Sequence, residues 1–242
     1  MTVVLVSGAA NGLGAAFVDS FAVLPDNEVI AIDRQPFQPS RPNVTSHVVD
    51  LTDEVSVEVL SKKLDGKPID LVIHSAGIRG LVPDAENQHP DNVAACETLS
   101  VMDLSTLMNT FQINTAGTFI FIRALLPHLK LSSNPKVIVM SSRMGSIGNN
   151  DSTKNKAAGS AYAYRASKAA LNTIIRSFAI DVPQVTFVLV HPGRVETGLV
   201  RCKEDGAIST QESISTIMPL IDRWGAEETG RFFDRLGQAI EW

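Results

Sequence analysis

Ser7-Gly8-Ala9-Ala10-Asn11-Gly12-Leu13-Gly14 comes directly after the short apolar run Val3-Val4-Leu5-Val6 and directly before the helically spaced Leu13, Phe17, Phe21 and Leu24. This order of strand, glycine turn and helix decides the fold. Glycines at a first strand-to-helix turn allow a tight bend and let the backbone approach a pyrophosphate, whose charge meets the positive end of the helix dipole. Many such turns hold glycine for backbone reasons alone. The place of this one, at the first turn of the chain, favours the ligand.

Working outward, residues 29–32, 44–49, 69–73, 137–140 and 185–190 are short runs rich in Val and Ile without polar alternation, the pattern of strands buried on both faces. Between them lie segments with helical spacing: Val55, Val59 and Leu60, a long stretch from 103 to 130, and 161–180. The alternation predicts an α/β fold, a single-domain Rossmann-type doubly wound parallel sheet with helices on both faces. A length of 242 residues suits one dinucleotide-binding and catalytic domain over 1–242 and leaves little room for a second. Two polar connections interrupt the pattern, 79–100 and 143–160. Connections of that length are usually functional or mobile, and 143–160 is expected to order on substrate.

A formal net charge of −5 gives no field that would gather polyanions, so neither nucleic acid nor an acidic membrane is an expected partner. No apolar run reaches the ~20 residues of a bilayer span, and the first residues read as a strand rather than a signal sequence. The expectation is a soluble, cytoplasmic protein. Cys96 and Cys202 stand far apart, and His47, His74, His89, His128 and His191 form no ligand-spaced cluster. No metal is expected, and both cysteines read as reduced structural thiols.

Several residues carry candidate chemistry. Asp33 ends the second strand, where a carboxylate can accept hydrogen bonds from ribose hydroxyls. Tyr164 and Lys168 are four apart on one helix and share a face. Tyr162 has Ala166 at the same offset and so reads as structural or as a substrate wall. Ser141 and Ser142 end the fifth strand, at the sheet edge where ligands of open α/β folds bind. Asn114 sits in an otherwise apolar helical run and needs hydrogen-bond partners there, since an unsatisfied buried amide costs roughly 1–3 kcal/mol.

Together these residues resemble the short-chain dehydrogenase/reductase family over nearly the whole chain. Gly8, Gly12 and Gly14 look like its cofactor turn, and His74-Ser75-Ala76-Gly77 resembles its Asn-Asn-Ala-Gly segment, with His74 and Ser75 in place of asparagines. Asn114, Ser142, Tyr164 and Lys168 match its catalytic set. The stretch His191-Pro192-Gly193-Arg194-Val195-Glu196-Thr197 resembles the segment that cradles the nicotinamide carboxamide. Within the family the chain is most similar to the C-factor and sniffer-type carbonyl reductase branch, although Ser142 and Tyr164 lie further apart than is usual.

The resemblance implies an NAD(P)-dependent oxidoreductase interconverting a carbonyl and a secondary alcohol in a small molecule. Tyr164 would exchange the proton, Lys168 would favour its ionised form, Ser142 would orient the substrate oxygen and Asn114 would hold a relay water. The implied cofactor contacts are Gly8, Asn11, Gly12, Leu13, Gly14, Asp33, Arg34, Asp50, Leu51, Ala76, Gly77, Tyr164, Lys168, Pro192, Gly193, Val195 and Thr197. NAD(H) is the preferred cofactor, because a 2′-phosphate would meet the Asp33 carboxylate and Asn11 stands where NADP(H)-preferring relatives often carry a cation. Arg34 keeps NADP(H) possible. A nucleotide sensor or signalling protein of the same fold, or a dehydratase, epimerase or cyclase on the same scaffold, are the alternatives. The lid at 198–209 is short and charged. The apolar run Phe119-Ile120-Phe121-Ile122 suggests self-association, as a homodimer or homotetramer, through the helices at 103–130 and 161–180.

Overall fold

The computed structural model describes residues 2–39, 41–153 and 158–242. Seven strands form one sheet in the order β3-β2-β1-β4-β5-β6-β7, every neighbouring pair parallel. They are β1 (Val3–Ser7), β2 (Glu28–Asp33), β3 (Val44–Val48), β4 (Leu71–His74), β5 (Lys136–Met140), β6 (Thr186–His191) and β7 (Arg231–Asp234). The helices are α1 (Gly12–Ala22), α2 (Glu54–Lys63), α3 (Pro83–Gln88), α4 (Leu104–Phe111), α5 (Gly117–Leu129), α6 (Tyr162–Asp181) and α7 (Thr210–Arg223). Strand order reverses direction between β1 and β4, which sets a crevice at their carboxyl ends.

Alternation along each strand feeds two cores. Leu5, Ile30, Val72, Val139 and Leu189 face α2, α5 and α6, where they meet Leu60, Phe121, Leu125, Leu171 and Ile175. Their neighbours Val4, Val6, Ala31, Ile73, Ile138 and Val188 face α1 and α7 and meet Phe17, Phe21, Ile214 and Ile217. Burial on both faces is why these strands carry unbroken apolar runs.

The structure corrects the sequence reading in several places. β3 is an edge strand, and Val48 is 62% exposed. In α2 the packed residues are Val57 and Leu60, whereas Val55 and Val59 face solvent; Leu24 lies beyond the end of α1 and is exposed. The stretch 103–130 is α4, a π turn at Gln112–Ala116 and then α5. The connection 79–100 holds α3 and a 3-10 turn at Val93–Cys96, and α7 and β7 complete the fold. Of the connection 143–160, residues 154–157 lie outside the described residues. Among the described residues no helix is long and apolar enough to cross a membrane.

Candidate active site

The carboxyl ends of β1, β2, β4, β5 and β6 surround a cleft of about 430 Å³. Its phosphate side is the turn after β1. Gly8 has φ +69°, and a Cβ there would stand 2.8 Å from the Ala76 nitrogen, so the close approach of the β1 and β4 ends requires glycine. Asn11 caps α1 in extended conformation with no side-chain hydrogen bond to the first turn, which leaves the leading N–H groups of α1 available to an anion. Asp33 does more than end β2. One carboxylate oxygen accepts the Ala10 N–H at 3.0 Å and the other accepts that of Gln35 at 3.0 Å, so the carboxylate also braces the glycine turn. Asp50 accepts both the N–H and the hydroxyl of Thr52, at 2.8 and 2.7 Å, and these bonds hold its carboxyl below the usual range. A glycine turn, a helix N-terminus and two carboxylates at the far end fit an extended dinucleotide.

At the other end of the cleft α6 presents Tyr164 and Lys168, both buried. The Lys168 ammonium donates to the Met140 carbonyl at 2.9 Å, and burial lowers its pKa to about 8. The Ser142 hydroxyl accepts the Met144 N–H at 3.2 Å and stands close enough to the Tyr164 phenol to lower its pKa. Burial is the largest influence on Tyr164 and pushes its phenol up; Arg79 and Ser142 pull it down, while Glu97 and Glu204 push it further up. Ser141, one residue before, donates to Asn172 at 2.5 Å and also lines the cleft.

Asn114 occupies the π turn, a local widening of the helix that commonly marks functional sites. Its Oδ1 accepts the Ile78 N–H at 2.8 Å, and its Nδ2 donates to the Ile78 carbonyl at 2.9 Å and to the Ser167 hydroxyl at 3.0 Å. The partners demanded by an interior amide are thus backbone and serine. A Cβ on Gly77 would stand 3.1 Å from Asn114 Oδ1 and 3.6 Å from Lys168 Nζ, so the two side chains flank one glycine.

His74 stands beneath this floor. The Thr118 hydroxyl donates to the Asn114 carbonyl at 2.9 Å and so accepts from His74 Nε2 at 2.8 Å, which leaves Nδ1 to accept from Ser7, also at 2.8 Å. One neutral imidazole therefore links the end of β1 to the π turn. Burial, and then the charge of Lys168, lower its pKa to about 3.

Most of the expected cofactor residues line the cleft: Gly8, Asn11, Gly12, Leu13, Asp33, Arg34, Asp50, Leu51, Ala76, Gly77, Tyr164, Lys168, Pro192 and Thr197. Three do not. Gly14 packs on the turn itself, since a Cβ there would overlap the Gly8 carbonyl; Gly193 holds a positive φ beside Ile208 and Arg235; Val195 bridges to Ile208. Ser142 and Asn114 do not line the cleft; Ser142 stands beside Tyr164, and Asn114 stands beside Gly77. Sequence reasoning missed Ile78, Asn109, Gln112 and Leu199, and it missed Arg79, whose guanidinium lies 4.8 Å from the centroid of the Tyr164 ring. A second cavity of about 410 Å³ adjoins through Ile78, Asn109 and Leu199. Over it the lid residue Arg201 pairs with Glu86 at 3.3 Å. Among the described residues no cluster of His, Cys, Asp and Glu could hold a metal ion.

The family profile described as short chain dehydrogenase matches residues 2–207. The chain is 34% identical over 177 residues to the C-signal of Myxococcus xanthus, covering 72% of this chain and 93% of that protein. It is 32% identical over 200 residues to 1-hydroxy-2-glutathionyl-2-methyl-3-butene dehydrogenase of Rhodococcus sp. (strain AD45), covering 80% and 78%. Among solved structures, the NADPH-bound carbonyl reductase from chicken fatty liver superposes with a TM-score of 0.83 at 25% identity, over 100% of both chains. Carbonyl reductase Sniffer of D. melanogaster matches the fold with a TM-score of 0.82 at 23% identity, over 100% and 99%.

Proposed function

The chain belongs to the short chain dehydrogenase family and is an NAD(P)-dependent oxidoreductase of carbonyls and alcohols, and on that premise we propose that Tyr164, Lys168, Ser142 and Asn114 carry its chemistry on a small molecule. The observation behind this reading is the meeting of a buried phenol, a serine hydroxyl and a buried ammonium at one end of the cleft. The bound nicotinamide dinucleotide supplies the hydride donor or acceptor. Tyr164 gives its hydroxyl proton to the carbonyl oxygen in reduction and takes it back in oxidation. A phenol ordinarily ionises near ~10 and is a poor base at neutral pH, so positive charge beside it is needed to favour the phenolate. Ser142 holds the substrate oxygen against Tyr164. Asn114 Oδ1 keeps one free lone pair beside Gly77 and Lys168, where it holds a water that carries the proton onward.

In this reading Gly8, Asn11, Gly12 and Leu13 hold the pyrophosphate, and Asp33, Arg34, Asp50 and Leu51 the adenosine end. NAD(H) is preferred over NADP(H), because both Asp33 oxygens are already fixed by backbone donors and the carboxylate cannot turn away from a 2′-phosphate. The protein self-associates through α4, α5 and α6, whose Leu104, Met108, Phe119 and Ile180 are exposed.

The test is consumption of reduced cofactor against a panel of aldehydes and ketones, with product mass determined. Alcohol products, each formed by adding a hydride to the carbonyl carbon and a proton to its oxygen, are expected. Saturating cofactor binding without turnover across the panel would overturn the catalytic reading in favour of a sensor.

A further inference from the structure

Arg79 lies in the connection between β4 and α3, and its side chain is 12% exposed. Its Nε and Nη2 each donate to one carboxylate oxygen of Glu97 at 2.8 Å, and Nη1 approaches Met144 Sδ at 3.1 Å. This two-pronged pairing fixes the plane of the guanidinium. Its carbon then stands 4.8 Å from the Tyr164 ring centroid, within cation–π range. Glu97 is itself buried, and its backbone carbonyl accepts the N–H of Ala161 at 2.8 Å. Ala161 has φ +49° and is the residue from which α6 starts. One glutamate therefore anchors both the guanidinium on the ring and the start of the helix that carries the ring.

We propose that Arg79, held by Glu97, is a positioning residue for the reaction, which fixes the Tyr164 ring by stacking and supplies a lasting positive charge that favours the ionised phenol. The inference rests on the role proposed above for Tyr164. Five groups bear on that phenol: Arg79 and Glu97 from the connection, Ser142 from the end of β5, Lys168 from α6 and Glu204 from the lid, while Arg165 beside it on α6 faces the Arg79–Glu97 pair. Lys168 loses its proton near 8, so its charge fades where a tyrosine begins to ionise. Arginine keeps its charge across that whole range. The fork geometry would serve no purpose for a cation needed only for solubility, which would face water unpaired.

The chain has 2 tyrosines, so Tyr162→Phe leaves Tyr164 as a single phenol whose ionisation is read from tyrosinate absorbance without any turnover. In that background Arg79→Met is expected to raise the midpoint by about one pH unit, a unit charge about 5 Å away being partly offset by Glu97. Glu97→Gln is expected to lower it. Opposite signs are the signature of charge, since loosened packing would move both variants the same way. Arg79→Met leaves a buried carboxylate alone, so the double variant Arg79→Met/Glu97→Gln covers the case of misfolding; its midpoint still rises, because Arg79 acts on Tyr164 more strongly than Glu97 does. An unmoved or lowered midpoint in folded Arg79→Met or in the folded double variant overturns the proposal, as does a parent Tyr164 that stays silent up to the pH of unfolding. A raised midpoint with an unmoved pH limb of kcat/KM would instead overturn the assignment of Tyr164 and leave the Arg79 coupling standing.

Discussion

Acid should weaken this fold through a residue that stands where related chains carry asparagine. His74 is fully enclosed, accepts a hydrogen bond from Ser7 and donates one to Thr118, and its folded pKa is about 3. In the unfolded chain it titrates near ~6.5. Because the folded value is the lower one, the unfolded chain takes up the proton first. The stability contributed by neutral His74 is complete above about pH 6.5 and is lost as the pH falls toward 3. At about pH 5 the loss is about 2 kcal/mol, from one and a half pH units at about 1.4 kcal/mol each. His191, lowered to about 4 chiefly by burial and then by Arg143, acts with the same sign, so the parent's total loss exceeds the His74 share. Urea denaturation at about pH 7.5 and about pH 5, for the parent and for His74→Asn, isolates that share. The variant is expected to be weaker at neutral pH, because a shorter side chain spans Ser7 and Thr118 poorly, and to lose about 2 kcal/mol less on acidification. Equal losses in the two proteins would refute the reasoning, because then no proton enters at His74 on unfolding.

Tyr164→Phe is expected to lower kcat by ~10²–10⁴ with cofactor affinity nearly unchanged, whereas Tyr162→Phe, at a 40% exposed position, does far less; equal losses in steady-state kinetics would sink the assignment. Comparison of kcat/KM with the two cofactors should favour NAD(H) by ~10²-fold, since two unit charges about 5 Å apart at a dielectric of ~20 repel by roughly 3 kcal/mol. A tenfold preference for NADP(H) would mean that Arg34 outweighs Asp33. Asp33→Ala should narrow the ratio and weaken both cofactors, because the Ala10 N–H loses its acceptor. Light scattering at micromolar concentration should give at least a dimer mass, and a monomer mass would remove the α4–α6 association surface.

The fold was legible wherever one element alone carried the signal. Strands buried on both faces have no choice but to be apolar throughout, and β1, β2, β4, β5 and β6 announced themselves that way, whereas the edge strand β3 was read as a strand but wrongly as a buried one. β7 did not, because four residues with Arg231 and Asp234 at the ends leave only Phe232 and Phe233, one for each core. α7 carried a signal that went unread: Ser209 accepts the Glu212 N–H at its start, and Ile214, Ile217 and Ile221 follow at helical spacing. In α2 the error was one of phase. Val55, Val57, Val59 and Leu60 are all apolar, and only the neighbouring α5 decides that Val57 and Leu60 point inward.

The site divides in the same way, between what one element fixes and what a second must supply. Tyr164 and Lys168 were legible because a helix alone puts residues four apart on one face. Arg79 was not, because a guanidinium in a polar connection acquires meaning only from Glu97 and the Tyr164 ring. Ser141 and Ser142 show the boundary most sharply. They are the same residue type, adjacent, at the end of one strand, and the period of two sends them to opposite sides of the sheet. Val137 and Val139 belong to the core beneath α5 and α6, and Ile138 and Met140 to the core beneath α1 and α7. Ser141 continues the first set and meets Asn172 on α6, while Ser142 continues the second and stands beside the Tyr164 phenol. Alternation could have said that the two hydroxyls part company. Which of them reaches the phenol depends on where the following connection brings α6 back, a length of chain whose sequence carries no period at all.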